Sequence, residues 1–452
     1  MTLTILSDEQ VNTIFENLNL DDLDEFRSVL ASALHEFSTN VKAPMEFQQP
    51  RGVTTIHPDT QVKTSYMSSC VVSRLNPDIA KDQHVKYIPP SGVLSLFKPD
   101  GSLLGLVNPK ALTAFRTALA SACLLSRRNH VKTITVFGSG MQAYWHVRLA
   151  LMMRGSTIKH VNVINRSFSD NAAGLLKRFA VIPHKQREGW AETQFGLLTP
   201  TFHEYNRLIK EQIREADVIY CCTPSQEPLF DGSILTSHEG RKKGRLIIAV
   251  GSHGPHMREL PDELIQMAVK QHEKPHRHFH KHAIDGGVIV VDNLEGVIKD
   301  AGEIILGKVD PNHLVELGEL VMLHRLALEK SDAEVASSQA SISSGLDSLD
   351  LESKSPSMSS VFNNTTSPRS SSPPGSVGSD SRKSGSFFHF RKNSNSSSEA
   401  DKKKKEDGLA LWLRDGTVIY KSVGLGLMDL VVGTHLIEVA NEKKLGTHVE
   451  AF

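Results

Sequence analysis

A short apolar run passes directly into the pattern Gly-x-Gly-x-x-Ala in the stretch Thr133-Ile-Thr-Val-Phe-Gly138-Ser-Gly140-Met-Gln-Ala143. In this pattern the first glycine allows a tight turn after a strand, and the second lets a pyrophosphate approach the backbone. A helix that begins at Met141 and Gln142 directs its unpaired amides at such an anion, while Ser139 lies in the turn and Ala143 packs against the strand. The stretch therefore predicts a dinucleotide-binding site, with a purely structural glycine turn as the alternative.

From Thr133 to residue 303, apolar runs alternate with helical segments. Further runs are HVNVIN (160–165), ADVIYCC (216–222), RLIIAVG (245–251) and GVIVVDN (287–293). Fully apolar strands separated by helices predict an α/β protein with a doubly wound parallel sheet, a Rossmann domain covered on both faces. Ligand contacts gather at the carboxyl ends of such strands. We therefore add four residues at these ends to the cofactor site: Cys222, Thr223, Gly251 and Ser252.

The second strand of this alternation ends in Asn165-Arg166-Ser167. Sites that select NAD usually place a carboxylate here to bind the ribose hydroxyls, and this chain has none. Arg166 can instead bind a 2′-phosphate, with Asn165 and Ser167 as hydrogen-bonding neighbours. The sequence thus favours NADP(H), with NAD(H) as the alternative. The alternative for Arg166 is that it is a solvated surface charge.

The organisation around this domain follows from composition and periodicity. Helices are predicted from Ser7 to Leu18, over Leu23–Phe37 and over 109–128, and Asp100-Gly101 predicts a hairpin turn. The Ser-rich stretch lacks apolar periodicity and predicts a disordered insertion. The predicted division is an outer substrate and dimerisation domain (1–130), the Rossmann domain (131–310), a helix returning to the outer domain (311–330), the insertion (331–407) and a segment completing the outer domain (408–452).

The overall composition excludes some classes of protein. The 452 residues contain 51 Lys+Arg and 51 Asp+Glu, so no net charge favours nucleic acid or an anionic membrane. No apolar run approaches the about 20 residues of a membrane helix, and the first residues lack the pattern of a secretory signal, so we expect a cytoplasmic protein. Four cysteines, two of them adjacent, fit reduced core thiols better than a disulfide framework.

Taken together, the motifs resemble those of the ornithine cyclodeaminase/mu-crystallin family, over most of the chain outside the Ser-rich insertion. The residues that carry the resemblance are Gln49-Pro50-Arg51, Val85-Lys86, Leu112-Thr-Ala-Phe-Arg116-Thr-Ala118, Gly138-Ser-Gly-Met-Gln-Ala143, Asn165-Arg166-Ser167, Ala249-Val-Gly-Ser252, Arg258-Glu259-Leu260, Val291-Asp292 and Lys421-Ser-Val-Gly424.

The resemblance implies a Rossmann domain, an outer α/β domain formed by the N-terminal region and a C-terminal segment, and a homodimer. It also implies that Arg51, Lys86 and Arg116 surround the substrate. The arginines would hold a carboxylate, and Lys86 would lie near the carbon that bears the reacting nitrogen. This agrees with side-chain chemistry, because a guanidinium binds a carboxylate in a bidentate manner and a partly desolvated lysine can transfer a proton.

One departure from the family pattern bears on the reaction. Cyclodeaminases of the family carry an acidic residue shortly after the strand that ends Ala249-Val-Gly251, and this chain has His253 there. Histidine can act as an acid or base near neutral pH, although a protonated ring would repel an ornithine ammonium. His253 is therefore a candidate catalytic residue beside Lys86, with a simple loop contact as the alternative. The usual Met-Pro-Ala is here Met67-Ser68-Ser69.

These observations favour an NADP(H)-dependent enzyme that reduces a small imino acid (ketimine) or oxidises the matching amino acid. The alternatives are an ornithine cyclodeaminase-type ammonia lyase with recycled NAD, and a non-catalytic nucleotide- or ligand-binding protein.

The histidine-rich run 272–282 is a weak metal pattern, so no metal site is predicted. Ser355, Ser367 and Ser394 in the insertion suit kinases, which makes kinases candidate partners. Residues 183–203 resemble an insertion in the Rossmann domain, whose aromatic side chains either pack locally or shield the cofactor.

Overall fold

A computed structural model describes residues 2–39, 68–70, 92–98, 101–128, 130–270, 286–321 and 412–450. Arg51, Lys86, the histidine-rich run and the Ser-rich stretch lie outside the described residues. Of residues 68–70 and 321 only the backbone is described. Within the described part of the chain, no helix is long and apolar enough to span a bilayer.

The described strands form two sheets. They are β1 (Thr2–Leu6), β2 (Ser68–Cys70), β3 (Leu94–Phe97), β4 (Leu103–Val107), β5 (Thr133–Phe137), β6 (His160–Ile164), β7 (Gln194–Leu198), β8 (Val218–Cys221), β9 (Leu246–Ala249), β10 (Val288–Val291), β11 (Leu314–Glu316), β12 (Val418–Lys421) and β13 (Thr447–Glu450).

The described α-helices are α1 (Asp8–Glu16), α2 (Leu20–Thr39), α3 (Pro109–Leu125), α4 (Met141–Arg154), α5 (Asp170–Val181), α6 (His184–Arg187), α7 (Tyr205–Glu215), α8 (Ser233–Thr236), α9 (Asp262–Val269), α10 (Leu294–Asp300), α11 (Gly302–Leu306), α12 (Leu317–Val321) and α13 (Gly426–Glu442). Short 3₁₀ helices cover Glu188–Trp190, Gly240–Lys242 and Pro311–His313.

The larger sheet has eight strands in the order β11-β10-β12-β9-β8-β5-β6-β7, and every pair is parallel. Strands β5, β8, β9, β10 and β12 are buried along their whole length, as expected for a sheet covered on both faces. From β5 the sheet continues through β6 and β7 on one side and through β8 and β9 on the other, where β12 precedes β10 and β11. The direction of winding therefore reverses between β5 and β8, which flank the topological switch point of a Rossmann fold. The predicted α/β fold class is confirmed.

The smaller sheet joins the two ends of the chain in the order β13-β1-β4-β3-β2. The hairpin predicted at Gly101 links β3 and β4, with Gly101 at φ +81° and its amide donating to the Lys98 carbonyl at 2.9 Å. Ser7 caps α1 in the predicted manner, because Gln10 and Ser7 satisfy one another's backbone amides.

The structure differs from the sequence-based predictions at three strands. Strand β1 was not predicted, and it pairs with β4 and β13. The presumed insertion 183–203 contains β7, an edge strand of the larger sheet, and Trp190 and Phe195 pack locally around Phe179. Strand β12 pairs with β9 and β10 in the larger sheet, whereas all of 408–452 was expected to complete the outer domain. Its apolar run carries no information about which sheet it joins.

Aromatic packing joins the helices of the N-terminal region to α4 of the larger sheet. Phe115 on α3 stacks on Phe15 with ring centroids 3.8 Å apart. The same ring meets Phe26 and Trp145 edge-to-face at 5.7 Å and 5.2 Å. All four side chains are buried, so α3 is held between the outer helices and the helix that follows the glycine-rich turn.

Candidate functional site

The glycine-rich turn lies at the switch point between β5 and β8. Gly138 follows β5 with φ +102°, a conformation that side chains other than glycine's rarely adopt. A Cβ at this position would stand 2.8 Å from the Cys222 carbonyl oxygen, just after β8. The predicted candidates Gly138 and Cys222 thus meet at the crevice where Rossmann folds bind nucleotides.

Gly140 leaves the N-terminus of α4 uncapped. It has the extended conformation of an N-cap residue, yet among the described residues no side chain caps the helix. A Cβ at Gly140 would meet no atom of the described residues within 4 Å. The described residues therefore do not fill the space beside the first helical residues, Met141 and Gln142. Ala143 is fully buried against the sheet, as the motif predicts. These features fit a pyrophosphate group.

The end of β6 lies beside this turn. The hydroxyl of Ser139 lies 3.4 Å from the Asn165 Oδ1 atom, and the Asn165 amide donates to the Ser167 carbonyl at 2.7 Å. Asn165 therefore shapes the loop that carries Arg166. The Arg166 side chain is exposed and makes no ion pair or side-chain hydrogen bond within the described residues. It is available to an anion beside the turn.

Arg116 reaches the carboxyl edge of the larger sheet from α3. Its Nε donates to Asp429 Oδ1 on α13 at 2.9 Å, and Nη1 donates to the Thr117 hydroxyl at 3.1 Å. The guanidinium is buried, and no described residue bonds to Nη2. A Cβ on Gly424 would lie 3.5 Å from Nη2 and 3.6 Å from Nη1. The two Nη atoms therefore face the glycine that follows β12.

Asp292 fixes the backbone that approaches Arg116. One of its oxygens accepts from the Ser422 hydroxyl at 2.7 Å and from the amides of Val423 and Gly424 at 3.0 Å and 2.7 Å. Burial raises the pKa of this carboxyl, and the hydrogen bonds act in the opposite direction. Gly424 has φ +99°, so this tight loop depends on glycine.

A buried network of charged side chains lies under the loop that follows β9. Lys421 ends β12, and its Nζ donates to the Ser252 carbonyl and hydroxyl oxygens at 2.5 Å each and lies 3.1 Å from Glu303 Oε2. Glu303 Oε1 accepts from the Ser252 hydroxyl at 2.5 Å and the Glu259 amide at 2.8 Å. We call Lys421, Glu303, Ser252 and Glu259 the Lys421 network. All four are almost fully buried.

Glu259 extends this network to the next loop. Its carboxylate accepts from the Thr223 amide and hydroxyl at 2.7 Å and 2.9 Å, and from the Gly251 and Ser252 amides at 2.8 Å and 3.2 Å. Four donors around two oxygens are the pattern of an ionised carboxylate. Burial nevertheless raises its pKa, opposed first by Lys421. The loops after β8 and β9 are thereby tied together.

The residues predicted to contact the cofactor after β8 and β9 differ in what they contact in the structure. Gly251 packs so closely on Thr223 that a Cβ would lie 2.2 Å from two of its backbone atoms. Ser252 is fully buried and its hydroxyl is used within the Lys421 network, so it supports the edge rather than presenting that hydroxyl outward. His253 is half-buried, and its Nδ1 lies 3.0 Å from the Gly251 carbonyl oxygen. Because a carbonyl only accepts, Nδ1 carries a proton.

Sequence reasoning missed the buried carboxylates and the buried lysine of this network. Glu259 and Lys421 were noted only as parts of family-like motifs, and no role was given to either. Glu303 had no signal, since an acidic residue between helical segments resembles any surface residue. The adjacent Cys221 is buried, and burial raises the pKa of its thiol well above the ordinary value, which agrees with an inert core cysteine.

Comparisons with known proteins find two imine reductases and a cyclodeaminase among the relatives of this chain. The chain is 29% identical over 229 residues to the ketimine reductase mu-crystallin of Mus musculus, covering 50% of this chain and 57% of the relative. It is 34% identical over 161 residues to an uncharacterised cyclodeaminase of Dictyostelium discoideum, covering 34% and 42%. It is 26% identical over 332 residues to a Δ1-pyrroline-2-carboxylate reductase of Bacillus cereus, covering 70% and 87%.

The chain is thus similar to members of the ornithine cyclodeaminase/mu-crystallin family, as its motifs predict. No protein-family model matches it. Its fold is similar to that of the Δ1-pyrroline-2-carboxylate reductase of Thermococcus litoralis, solved in complex with NADH and L-proline. The TM-score is 0.56 at 18% identity, over 99% of this chain and all of the other. This likeness shows that the two chains share a fold.

Proposed function

We propose that this protein is an NAD(P)-dependent oxidoreductase that reduces a small imino acid, or oxidises the matching amino acid. The observation that carries the proposal is that the uncapped N-terminus of α4 and the guanidinium of Arg116 lie at the same, carboxyl edge of the eight-stranded sheet. An anion-binding helix end fits a dinucleotide, and a buried guanidinium fits a carboxylate. The names of the family relatives support the same chemistry.

The cofactor is proposed to bind across the switch point. Gly138 forms the tight turn, Gly140 gives the pyrophosphate close access to the backbone, and the first amides of α4 bind its oxygens. Exposed Arg166, with Asn165 and Ser167 beside it, favours NADP(H) over NAD(H), because a 2′-phosphate would pair with a guanidinium that has no ion-pair partner among the described residues. The absence of a carboxylate at the end of β6 supports the same choice.

The substrate is proposed to bind by its carboxylate. Asp429 holds Arg116 through Nε and leaves Nη2 without a partner among the described residues, next to the space above Gly424. A carboxylate placed there completes the hydrogen bonding of the guanidinium. By family resemblance Arg51 is the second arginine of this clamp, and it lies outside the described residues.

When bound, the reduced nicotinamide supplies a hydride to the carbon of the C=N bond. The protein fixes the substrate carboxylate through Arg116 and supplies a proton to the imine nitrogen. Lys86, outside the described residues, is the first candidate donor by resemblance. His253 is the second, because its Nδ1 bond to the Gly251 carbonyl orients the ring and makes Nε2 the nitrogen that gains or loses a proton.

The family resemblance further supports a homodimer built through the outer domain, and a small imino or amino acid as the binding partner. The balance of charges in the sequence supports neither nucleic acid nor a membrane as a partner.

The test is NADPH and NADH consumption by the purified full-length chain with pyrroline and piperideine carboxylates, together with ammonia release from ornithine. We expect imine-dependent oxidation of NADPH. Ammonia release without net cofactor consumption would instead identify a cyclodeaminase, and cofactor binding without either reaction would identify a binding protein.

A further inference from the structure

Lys421 is buried at the end of β12, and its ammonium group contacts three oxygen atoms. Two partners are oxygens of Ser252, and the third is Glu303. Only 1% of the lysine side chain is exposed. Burying an ammonium is costly unless it is paired and hydrogen-bonded, and this one makes two hydrogen bonds and one ion pair.

The residues that follow Lys421 lead directly to the proposed substrate clamp. Ser422, Val423 and Gly424 are fixed on Asp292, and Gly424 lies against the Nη atoms of Arg116. Lys421 itself holds the loop of Ser252, which also carries His253. One four-residue segment therefore contacts both the clamp and the loop at the proposed cofactor edge.

We propose that Lys421 is a positioning residue, which sets the place of the 251–253 loop relative to the Arg116 clamp. This inference rests on the proposed function, because the loop and the clamp flank the substrate only if the site is the one proposed above. Lys421 itself contacts no reacting group. It acts by holding the Ser252 carbonyl and hydroxyl, and so fixes the distance across which hydride transfer takes place.

A purely structural ion pair would behave differently from a positioning residue. Removing one partner of a buried pair is strongly destabilising because it leaves an unpaired charge, whereas neutralising both partners often restores stability. Neutralising both does not replace the two bonds that Lys421 makes to Ser252. Stability and catalysis should therefore separate in a double variant.

The experiment compares Lys421→Met with the charge-neutral Lys421→Met/Glu303→Gln in the full-length chain. We expect the single variant to lose both thermal stability and turnover. In the double variant we expect the melting temperature to recover most of this loss, while kcat stays about 10- to 100-fold low, as for a misplaced reacting group. The KM for the imino acid should change little, because Arg116 and Asp429 are unaltered.

Arg245→Met is the matched control. Arg245 is also a buried cation, 3% exposed, and it bonds to the carbonyls of Gly240, Lys243 and Arg214. It precedes β9, at the opposite edge of the sheet from Ser252. This variant should lower the melting temperature and leave kcat unchanged.

Hydrogen exchange of the amides in a peptide spanning 250–253 gives a readout that does not require turnover. Faster exchange in the double variant than in Arg245→Met would show that Lys421 holds this loop, and a wild-type protein that reduces no imine would then count against the proposed function instead. Recovery of both melting temperature and kcat in the double variant, or unchanged exchange in this peptide, would overturn the positioning role.

Discussion

Arg116 on α3 and Asp429 on α13 form a mostly buried ion pair, with Nε 2.9 Å from Oδ1. The side chains are 9% and 17% exposed, so solvent screens the pair weakly. The pair fixes one edge of the guanidinium and directs the Nη atoms toward Gly424. A guanidinium oriented in this way is prepared for a carboxylate, because less side-chain entropy is lost on binding.

Replacing Arg116 by lysine keeps the charge and removes the planar fork. We expect kcat/KM for the imino acid to fall about 10- to 100-fold, since hydrogen bonds to charged groups contribute about 1.5–3 kcal/mol. Steady-state kinetics would measure this. Arg128→Lys is the control, because Arg128 is a buried arginine whose bonds within the described residues go to the carbonyls of Arg414 and Gly416. An unchanged kcat/KM in Arg116→Lys would remove Arg116 from the site.

Gly424→Ala tests the space in front of the guanidinium. The added Cβ would lie 3.5 Å from Nη2, in the volume proposed for the substrate carboxylate, and φ +99° adds backbone strain. Gly101→Ala provides the matched control, because Gly101 has φ +81° and a Cβ there meets nothing within 4 Å. We expect both variants to lose about 1 kcal/mol of stability, and only Gly424→Ala to raise KM. Equal KM values in the two variants would contradict the proposed carboxylate position.

The parts of the fold that the sequence predicted are those determined locally. The N-cap at Ser7, the turn at Gly101 and the glycine-rich turn at Gly138 each depend on residues within a few positions of one another. Strand β12 was recognised as apolar, but its place between β9 and β10 depends on pairing with residues more than 120 positions away in sequence. Periodicity within one strand carries no such information.

The candidate site likewise combines features that are determined locally with features that depend on residues distant in sequence. The positions of Arg166 and of the first turn of α4 can be predicted, because they depend on the spacing of neighbouring residues in a local motif. The Lys421 network joins residues from separate segments, so no local spacing describes it. Ser252 was predicted from its place after a strand. Its hydroxyl is turned into the network, because buried Lys421 and Glu303 each require a polar partner.

Gly140→Asp separates helix stability from cofactor binding. The backbone at Gly140 already has the extended N-cap conformation, and the space around it accommodates a side chain. Aspartate is a favoured N-cap residue, so we expect unchanged or slightly raised thermal stability. Its carboxylate would occupy and repel the proposed pyrophosphate, so binding of both NADPH and NADH, followed by fluorescence titration, should be lost. Gly140→Ala, which adds volume without charge, should bind more tightly than Gly140→Asp. Normal NADPH affinity in Gly140→Asp would refute this placement of the cofactor.

Arg166→Ala tests the preference for NADP(H). We expect the dissociation constant of NADPH to rise about 10- to 100-fold, by the loss of a charged hydrogen bond, and that of NADH to change little. Lys177→Ala, which removes another exposed cation from the neighbouring helix α5, controls for the general change in surface charge. Equal losses for NADPH and NADH would show that Arg166 does not bind the 2′-phosphate.

His146 on α4 predicts a pH dependence of stability. Its ring is buried, with Nε2 2.9 Å from the Ser121 hydroxyl and Nδ1 2.8 Å from the Gln142 carbonyl oxygen. Burial lowers its pKa from 6.5 to about 4. Between these two values the unfolded chain binds a proton that the folded protein does not, so the free energy of unfolding falls as the pH is lowered through this window.

The size of this effect follows from the shift, on the order of 3 kcal/mol between about pH 7 and about pH 4. Urea denaturation of wild type and His146→Gln across this range would measure it, because the buried carboxyls Glu259 and Asp292 titrate in both proteins and cancel in the difference. We expect the stability of His146→Gln to fall less steeply on acidification. His160→Gln, which alters an exposed histidine on β6, should keep the wild-type slope. If His146→Gln also keeps that slope, then the His146 ring is protonated in the folded protein, and the buried contact between α3 and α4 tolerates its charge.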